Sequence, residues 1–313
     1  MTAKSTVAVT GASGFLGRHL VPALSDAGYD VVAVCRREPT VSVPFRRSDY
    51  TEATLTSALA GVDAVIHLAA RRAMREDEPL DLEPYLGPNV RALRALCSAA
   101  TAGGASRVVL ASSRAVYPAV SDQPLQEERD EGPLNAYGLS KLFGEQYLAA
   151  LTAAPELSAV ALRFAAIYGE GERDSAVLMR FARLAGEGEP LVLRGNVEQR
   201  IDELYVKDAV QALIAALRAT DVQGAVNIGS GRAVSVREIA EAVNGVFGNQ
   251  GNLRDDEAVD GPPLEATLDI SRARRLLGWA PRLDLADGLR DLRRQRFGQP
   301  FGPSGLTSKL CRP

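Results

Sequence analysis

A tyrosine and a lysine four positions apart could perform acid–base chemistry on a hydroxyl or carbonyl group. Tyr137 and Lys141 stand in the segment YGLSK, and this spacing places both on one face of a helix. A phenol has an ordinary pKa near about 10, so it exchanges protons near neutral pH only where its anion is stabilised. A nearby ammonium group stabilises that anion and can also bind a ribose hydroxyl.

Two serines upstream could bind the same substrate oxygen. Ser112 and Ser113 follow the apolar run Val108–Ala111, which has the pattern of a buried strand. Ligands of open α/β folds bind at the carboxyl edge of the sheet, where a hydroxyl can hydrogen-bond a carbonyl or alkoxide oxygen. One of these two serines, together with Tyr137 and Lys141, is therefore a candidate for catalysis.

A glycine-rich turn near the N-terminus predicts a nucleotide-phosphate site. The segment TGASGFLG follows the apolar run Val7–Thr10 and leads into a helical pattern. Gly11 allows a tight turn, Gly14 lets a pyrophosphate approach the backbone, and Gly17 lets the helix lie close to the strand. The helix N-terminus then offers N–H groups and a positive dipole end to the phosphates. The spacing is G-x-x-G-x-x-G rather than the usual G-x-G-x-x-G.

The end of the second strand pattern indicates which dinucleotide binds. An acidic residue at this place binds the adenosine ribose and repels a 2′-phosphate. Here Cys35 is followed by Arg36 and Arg37, whose guanidinium groups suit a phosphate dianion. We therefore predict NADP(H), with NAD(H) as the alternative, and expect Asp49 to hydrogen-bond the adenine amino group.

Alternating strand and helix patterns must position these residues. The fold class predicted from this alternation is α/β, a doubly wound parallel Rossmann sheet with a smaller C-terminal α+β substrate lobe. The predicted strands are Val7–Thr10, Val31–Cys35, Ala64–Leu68, Val108–Ala111 and Val160–Arg163, and the predicted helices are Phe15–Ala27, Thr51–Ala60, Val90–Ala102 and Ala136–Leu151.

The pattern loosens after about residue 164, which predicts the second lobe. We assign residues 1–165, with a returning segment at about 200–222, to the cofactor-binding domain, and 166–199 and 223–297 to the substrate lobe. That lobe holds predicted strands near Leu191–Leu193 and Val226–Ile228 and helices near Ser175–Gly186 and Val236–Phe247. Residues 298–313 are rich in Gly, Pro and Ser and predict a mobile tail.

Composition narrows the partners. The 313 residues carry a net charge of −3, which gives no electrostatic footprint for nucleic acid. Three scattered cysteines favour a reducing compartment over a disulfide framework. With two histidines, no metal cluster is expected. No signal peptide or membrane span is recognisable, which predicts a cytoplasmic protein.

Taken in order, these motifs resemble the extended short-chain dehydrogenase/reductase family, in particular its nucleotide-sugar epimerases, dehydratases and ketoreductases. The resemblance runs from about Val7 to Arg282. Besides the glycine loop and the Ser/Tyr/Lys set, it rests on His67–Ala70, Asn89-Val90, Ser113 four residues before Tyr117, Leu162–Gly169, Tyr205–Asp208, Asn227–Gly231, Leu268–Ala273 and Leu277–Trp279.

The resemblance implies a site between two lobes, a nucleotide-sugar substrate, and a homodimer formed through the helices near Val90–Ala102 and Ala136–Leu151. It also implies that Ser113, Tyr137 and Lys141 are catalytic. The cofactor-binding residues that we predict are Gly11, Ser13, Gly14, Phe15, Leu16, Gly17, Arg36, Arg37, Asp49, Tyr50, Leu68, Ala69, Ala70, Asn89, Tyr137, Lys141, Ala165 and Ile167. The predicted substrate-binding residues are Arg114, Ala166, Arg200 and Arg254.

Departures from the family pattern narrow the function. The 4,6-dehydratases carry an Asp-Glu pair where this chain has Arg114 and Ala115, so a dehydratase is not expected. Ala166 replaces an Asn that often binds the substrate diphosphate, and Val259 stands where an Arg is common. Arg200 is displaced by one residue from the family's phosphate-binding Arg. Arg194 and Arg254 are candidate substitutes, or the substrate lacks a diphosphate.

The leading hypothesis is a reductase. NADPH would reduce a keto group of a nucleotide-linked sugar, with Tyr137 as the proton donor and Ser113 orienting the carbonyl. The alternatives are an NAD-dependent nucleotide-sugar C4 epimerase with the same three residues, a reductase of a small non-nucleotide ketone or aldehyde, and a noncatalytic cofactor-sensing protein.

Overall fold

A seven-stranded parallel sheet forms the centre of the molecule. The computed structural model describes residues 4–298 except 75–76, 119–120, 122, 129–130, 134, 153–156, 175 and 260–266. The strand order is β10-β6-β5-β4-β1-β2-β3. The strands of this sheet are β1 (Thr6–Thr10), β2 (Asp30–Cys35), β3 (Phe45–Arg47), β4 (Ala64–His67), β5 (Arg107–Ser113), β6 (Ser158–Phe164) and β10 (Gly224–Ile228).

Helices cover both faces of this sheet because each strand alternates its buried side chains. Val7 and Val9 point into the core beneath α1 and α7, whereas Ala8 points into the core beneath α2 and α4. This confirms the predicted doubly wound α/β fold. The helices are α1 (Phe15–Asp26), α2 (Glu52–Ala58), α3 (Glu83–Tyr85), α4 (Ala92–Ala102), α5 (Ala136–Leu151), α6 (Val177–Gly186), α7 (Val206–Arg218), α8 (Val236–Phe247) and α9 (Leu285–Phe297).

A second region holds two small sheets and its own core. One sheet has the order β11-β9-β7 and the other pairs β12 with β8. Helices α6, α8 and α9 pack over these strands through buried side chains such as Phe181, Ile239 and Leu289. The strands are β7 (Ala166–Tyr168), β8 (Leu191–Asn196), β9 (Arg200–Tyr205), β11 (Ala233–Ser235) and β12 (Leu253–Val259).

Two strand assignments differ from the sequence prediction. The strand at Val226–Ile228, expected in the smaller lobe, belongs to the central sheet, because β10 pairs in parallel with β6. The segment returning to the cofactor-binding domain was expected to start near residue 200, yet β9 pairs with β7 and β11 in the small sheet. The return starts with α7, whose apolar face packs against α1 and the central sheet.

Both helices predicted around the catalytic residues are present. The stretch predicted at Ala136–Leu151 is α5. The stretch predicted at Val90–Ala102 ends as α4 at Ala102, and a wider helical turn at Leu86–Arg91 precedes α4. No helix in the described ranges combines the length and apolar character needed to cross a membrane. The predicted tail lies outside the described residues except for Gly298.

Candidate active site

The glycine loop has the shape of a phosphate cradle. Gly11 adopts φ +69°, and a Cβ there would lie 2.8 Å from the backbone N of Ala69. A Cβ at Gly17 would lie 2.5 Å from the carbonyl oxygen of Gly11, so α1 can approach the turn only without a side chain. No side chain caps the first turn of α1, which leaves its N–H groups available to an anion. The loop therefore fits a dinucleotide pyrophosphate.

Tyr50 and Asp49 stand beside this loop. The hydroxyl of Tyr50 accepts a hydrogen bond from Gly11 N at 3.3 Å and donates one to the Val34 carbonyl at 3.2 Å. The carboxylate of Asp49 accepts hydrogen bonds from Thr51, which lower its pKa to about 2. Asp49 is thus an ionised acceptor at the end of β3, and its contact with adenine stays a prediction.

The end of β2 carries exposed positive charge. Arg36 and Arg37 are exposed, and no hydrogen bond or ion pair of either guanidinium is found among the described residues. The side chain of Arg47 on β3 donates to the Arg36 carbonyl at 3.1 Å and adds a third guanidinium at this edge. The arrangement suits an anionic group on the adenosine ribose, and the NADP(H) preference stays a prediction.

Ser113 and Tyr137 meet at the carboxyl edge of the central sheet. Ser113 is the last residue of β5, and its hydroxyl accepts a hydrogen bond from Ala115 N at 3.1 Å. Tyr137 lies in the first turn of α5, which Asn135 caps through Gly138 N at 2.8 Å. The hydroxyls of Ser113 and Tyr137 share a hydrogen bond. The structure therefore brings together two of the predicted catalytic residues.

Lys141 completes the predicted set from the next turn of α5. Its ammonium group donates to the Ala111 carbonyl at 2.9 Å and lies 5.9 Å from the Tyr137 ring centroid. Burial lowers the pKa of Lys141 to about 8, and the charge of Glu145 opposes that change. Lys141 is thus positively charged at neutral pH, close to the phenol whose anion it would stabilise.

A buried ion pair supports this part of α5. The guanidinium of Arg163 on β6 donates to Glu145 at 2.9 and 2.6 Å, and Glu145 also accepts from Ser112. Both charged side chains are almost fully buried. Such a pair fixes geometry more than it adds stability, because desolvation offsets most of its attraction. It holds α5 against β5 and β6, which carry the site.

Asn89, a predicted cofactor residue, is buried and bonded within the protein. Its side chain accepts from Arg71 N at 2.8 Å and donates to Ser140 at 2.9 Å, and its contact with the cofactor stays a prediction. Asn89 thereby ties the loop after β4 to α5, one turn from Tyr137. Predicted neighbours Leu68, Ala69 and Ala70 line the same loop and are half-buried.

Arg72, in the same loop after β4, forms an ion pair that the sequence did not indicate. Arg72 donates to both carboxylate oxygens of Glu172, at 2.8 and 2.9 Å. Glu172 lies in the loop that follows β7. Burial raises the pKa of Tyr137, whereas the bond with Ser113 and the charge of Arg72 oppose that rise. Arg72 therefore adds positive charge near the phenol, and no sequence motif predicts its position there.

His67 does not act as an acid or base here. Burial and the charge of Lys141 lower its pKa to about 3, so the ring is neutral. Its Nδ1 lies 2.7 Å from the Thr10 hydroxyl, between β1 and β4. The buried ring therefore joins β1 to β4 beneath the loop that follows His67.

The predicted substrate residues separate into two groups. Arg114 directly follows Ser113, and Ala166 comes two residues after the end of β6. Both therefore stand at the carboxyl edge of the central sheet, which we call the catalytic edge. Arg200 lies at the start of β9, where its guanidinium donates to the Ala233 carbonyl and pairs with Glu238. Arg254 is exposed on β12. Arg200 nevertheless lines a cavity of about 630 Å³ together with Arg232 and Glu198.

Comparison with known proteins places this geometry in a family. Residues 7–229 match the model of the NAD dependent epimerase/dehydratase family. The chain belongs to the NAD-dependent epimerase/dehydratase family. It is therefore an NAD(P)-dependent enzyme, and the catalytic roles of Ser113, Tyr137 and Lys141 stay a prediction.

Relatives within the family act on nucleotide sugars. The UDP-glucose 4-epimerase of Azospirillum brasilense is 32% identical over 343 residues, covering 98% of each chain. The structure of UDP-N-acetylglucosamine 4-epimerase from Bacillus cereus matches with a TM-score of 0.86 at 31% identity, over 96% of this chain and 99% of that one. MoeE5, solved with UDP-glucuronic acid and NAD, matches with a TM-score of 0.79 at 35% identity, over 91% and 96% of the two chains.

Proposed function

We propose that this protein is a nucleotide-sugar 4-epimerase that works with a bound NAD. One observation carries the proposal: Ser113 ends β5 and Tyr137 lies in the first turn of α5 at the carboxyl edge of the sheet, with the ammonium group of Lys141 5.9 Å from the Tyr137 ring centroid. This arrangement can take a proton from a sugar hydroxyl and return it. The epimerases among the relatives support this assignment over the reductase that the sequence favoured.

Each catalytic residue has a distinct task in that reaction. Tyr137 would accept the proton of the C4 hydroxyl as the C4 hydride leaves, and would give the proton back when the hydride returns to the opposite face. Ser113 would orient the oxygen, and Lys141 would favour the phenolate and bind the cofactor ribose. A dinucleotide with its pyrophosphate on the glycine loop would supply the nicotinamide as a reversible hydride acceptor, so the reaction would have no net oxidation.

The residues after Ser113 support epimerisation over elimination. A dehydratase needs a carboxylate pair to remove water, and this chain has Arg114 and Ala115 in their place. No acid of that kind stands next to Ser113, so the proton would move only through Tyr137.

A direct assay tests the proposal. Purified protein is incubated with UDP-glucose or UDP-N-acetylglucosamine and catalytic NAD, and proton NMR follows the anomeric signals of both C4 epimers. We expect an equilibrium mixture without net change in absorbance at 340 nm. Stoichiometric loss of NADPH with a 4-keto sugar nucleotide, and no epimer formation, would instead establish the reductase.

The second candidate is that reductase, and the charge at the end of β2 favours it. Arg36 and Arg37 suit the 2′-phosphate of NADP, and a dissociable NADPH suits net reduction. If this holds, Arg36→Ala weakens NADP binding by about tenfold or more and leaves NAD binding nearly unchanged. Calorimetric titration with both cofactors measures this, and Arg275→Ala, an exposed guanidinium elsewhere, is the control. Tighter binding of NAD than of NADP by the wild type would remove this candidate.

We also infer a homodimer formed through α4 and α5. The side chain of Phe143 on α5 supports this, because it is 39% exposed although large and apolar. Sedimentation measurements on the wild type and on Phe143→Asp show whether each protein is a dimer or a monomer.

A further inference from the structure

The ring of Tyr85 packs against the ring of Tyr137. Tyr85 lies in the short helix α3 and is 2% exposed, and the two ring centroids are 6.0 Å apart at an interplanar angle of 53°. Aromatic rings attract each other at this separation when they are tilted rather than stacked face to face. Because Tyr137 belongs to α5, this contact holds its side chain from outside its own helix.

The hydroxyl of Tyr85 already has a partner within the protein. It donates a hydrogen bond to the carboxylate of Asp77 at 2.5 Å. Burial and this bond raise the pKa of Tyr85 to about 12, and the same bond lowers the pKa of Asp77. The phenol therefore keeps its proton at neutral pH while the carboxylate is ionised. Tyr85 thus offers a fixed packing surface and no acid–base group of its own.

The carboxylate of Asp77 organises the loop after β4 around Tyr85. It accepts hydrogen bonds from the guanidinium of Arg71 at 2.6 Å and from Met74 N at 2.9 Å. The same guanidinium lies over the ring of Tyr85, 5.7 Å from its centroid. Hydrogen bonds to an ionised group are shorter and stronger than neutral ones. Asp77 therefore fixes Tyr85 through its hydroxyl, and Arg71 covers its face.

The segment that holds Tyr85 is also joined to the backbone of α5. The Pro79 carbonyl accepts from Ala136 N at 2.6 Å. Asn89 donates to Ser140 at 2.9 Å, and the Ser140 hydroxyl donates to the Tyr137 carbonyl at 2.7 Å. With its backbone fixed, the side chain of Tyr137 can still rotate about its Cα–Cβ and Cβ–Cγ bonds. A ring packed against it restricts that rotation.

We propose that Tyr85, held by Asp77, is a positioning residue that fixes the rotamer of Tyr137 and so keeps its phenol oxygen beside Ser113. This rests on the proposed function, because the position of Tyr137 matters only where it carries a proton. A displacement of about 1 Å at a reacting group can cost about 100-fold in rate. Since Tyr85 is buried and its hydroxyl is bonded to Asp77, its loss should leave substrate and cofactor affinity unchanged.

Steady-state kinetics on NAD-loaded protein test this role, with UDP-glucose or UDP-N-acetylglucosamine as the substrate and calorimetry measuring NAD affinity. Tyr85→Leu removes the ring, so we expect kcat to fall by at least about tenfold, with KM and NAD affinity within about twofold. Tyr85→Phe keeps the ring and loses only the bond, so kcat should fall by about two- to fivefold. The double variant Asp77→Leu/Tyr85→Phe should lose no more than Asp77→Leu alone, because both changes remove one bond.

Tyr205→Phe is the matched control. The Tyr205 hydroxyl donates to Asp291 at 2.6 Å and the ring is buried, but it packs against Tyr168 and not against Tyr137. Loss of a buried bond should lower the melting temperature of both Phe variants, whereas kcat should fall only in Tyr85→Phe. If Tyr85→Leu does not fold, the two Phe variants decide: a wild-type kcat in Tyr85→Phe would overturn the positioning role.

The other outcomes separate this role from the proposed function. A Tyr85→Leu protein with the kcat of the wild type would overturn the positioning role and leave the epimerase. A raised KM at unchanged kcat would do the same and would assign Tyr85 to substrate binding. If the wild type reduces a 4-keto sugar nucleotide with NADPH instead, the epimerase fails, and the same variants are compared in that reaction, where Tyr137 is again the proton donor. A wild type without either activity would overturn both.

Discussion

At the scale of single residues, the state of Tyr137 decides what the site can do. Burial makes the phenol a weaker acid, whereas the bond with Ser113 and the charge of Arg72 oppose that effect. Lys141 lies one turn further along α5 with its own charge preserved. Ser113 and Arg72 thus offset only part of the rise that burial causes in the pKa of Tyr137, whereas a tyrosine base near neutral pH requires that its anion be stabilised.

The hydroxyl of Tyr137 can be removed without disturbing its ring. We expect Tyr137→Phe to lower turnover by about 10²–10⁴-fold and to leave NAD affinity within about twofold, because only the proton carrier is lost. Epimerisation followed by NMR and cofactor titration measure the two effects. Tyr147→Phe, on the same helix, is the control. A Tyr137→Phe protein with most of its activity would place the acid–base group elsewhere.

The sequence alone predicts the catalytic residues because their relative positions depend on spacing within single helices and strands. One helical turn relates Tyr137 to Lys141, and one strand end places Ser113, so the pattern determines the geometry. Glu203, a buried residue of β9, follows no such pattern. Its burial depends on the register of β9 against β7, which no local motif specifies.

At the scale of elements, the approach of α5 to the turn after β5 brings Tyr137 to Ser113. Gly138 makes that approach possible, since a Cβ there would overlap the carbonyl group of Ala115. The sequence offered this glycine only as the second residue of YGLSK. The path of the chain was harder to predict, because it leaves the central sheet after β6, builds β7 to β9, and returns through α7 to β10.

Gly138→Ala tests how closely these elements must pack. Overpacking of this kind costs about 1–3 kcal/mol, and the strain would also move Tyr137 away from Ser113. We expect a melting temperature lower by at least about 2 °C and a turnover lower by at least about tenfold. Gly245→Ala is the matched control, because a Cβ at Gly245 in α8 meets no atom within 4 Å. Its helix should become slightly more stable. Equal behaviour of the two variants would show that α5 has room to adjust.

At the scale of the whole molecule, two packed regions meet over the catalytic edge. The central sheet supplies Ser113 and the glycine loop, whereas the small sheet supplies Glu203. Arg72 and Glu172 join the loops that border them, with the carboxylate almost fully buried. The predicted domain boundaries follow this division only in part, since β10 belongs to the central sheet. Chemistry at the junction therefore depends on charges contributed by both regions.

The dependence of protein stability on pH tests the protonation state of Glu203, the buried carboxyl at that junction. The folded chain keeps the proton of Glu203 up to about pH 8, because burial and Asp202 outweigh the attraction of Arg114, and Glu172 adds to the effect. An unfolded glutamate loses its proton near its ordinary value of 4.5. The folded state thus binds more protons between these values, so wild-type stability falls as the pH rises through this window and levels off above about pH 8. Glu203→Gln removes this loss: we expect a melting temperature at least about 5 °C above the wild type at pH 8.5 and nearly equal at pH 4.5. Differential scanning calorimetry measures both, with Glu170→Gln as the control. A Glu203→Gln protein that is less stable than the wild type at pH 8.5 would mean that the carboxylate is ionised and held by partners.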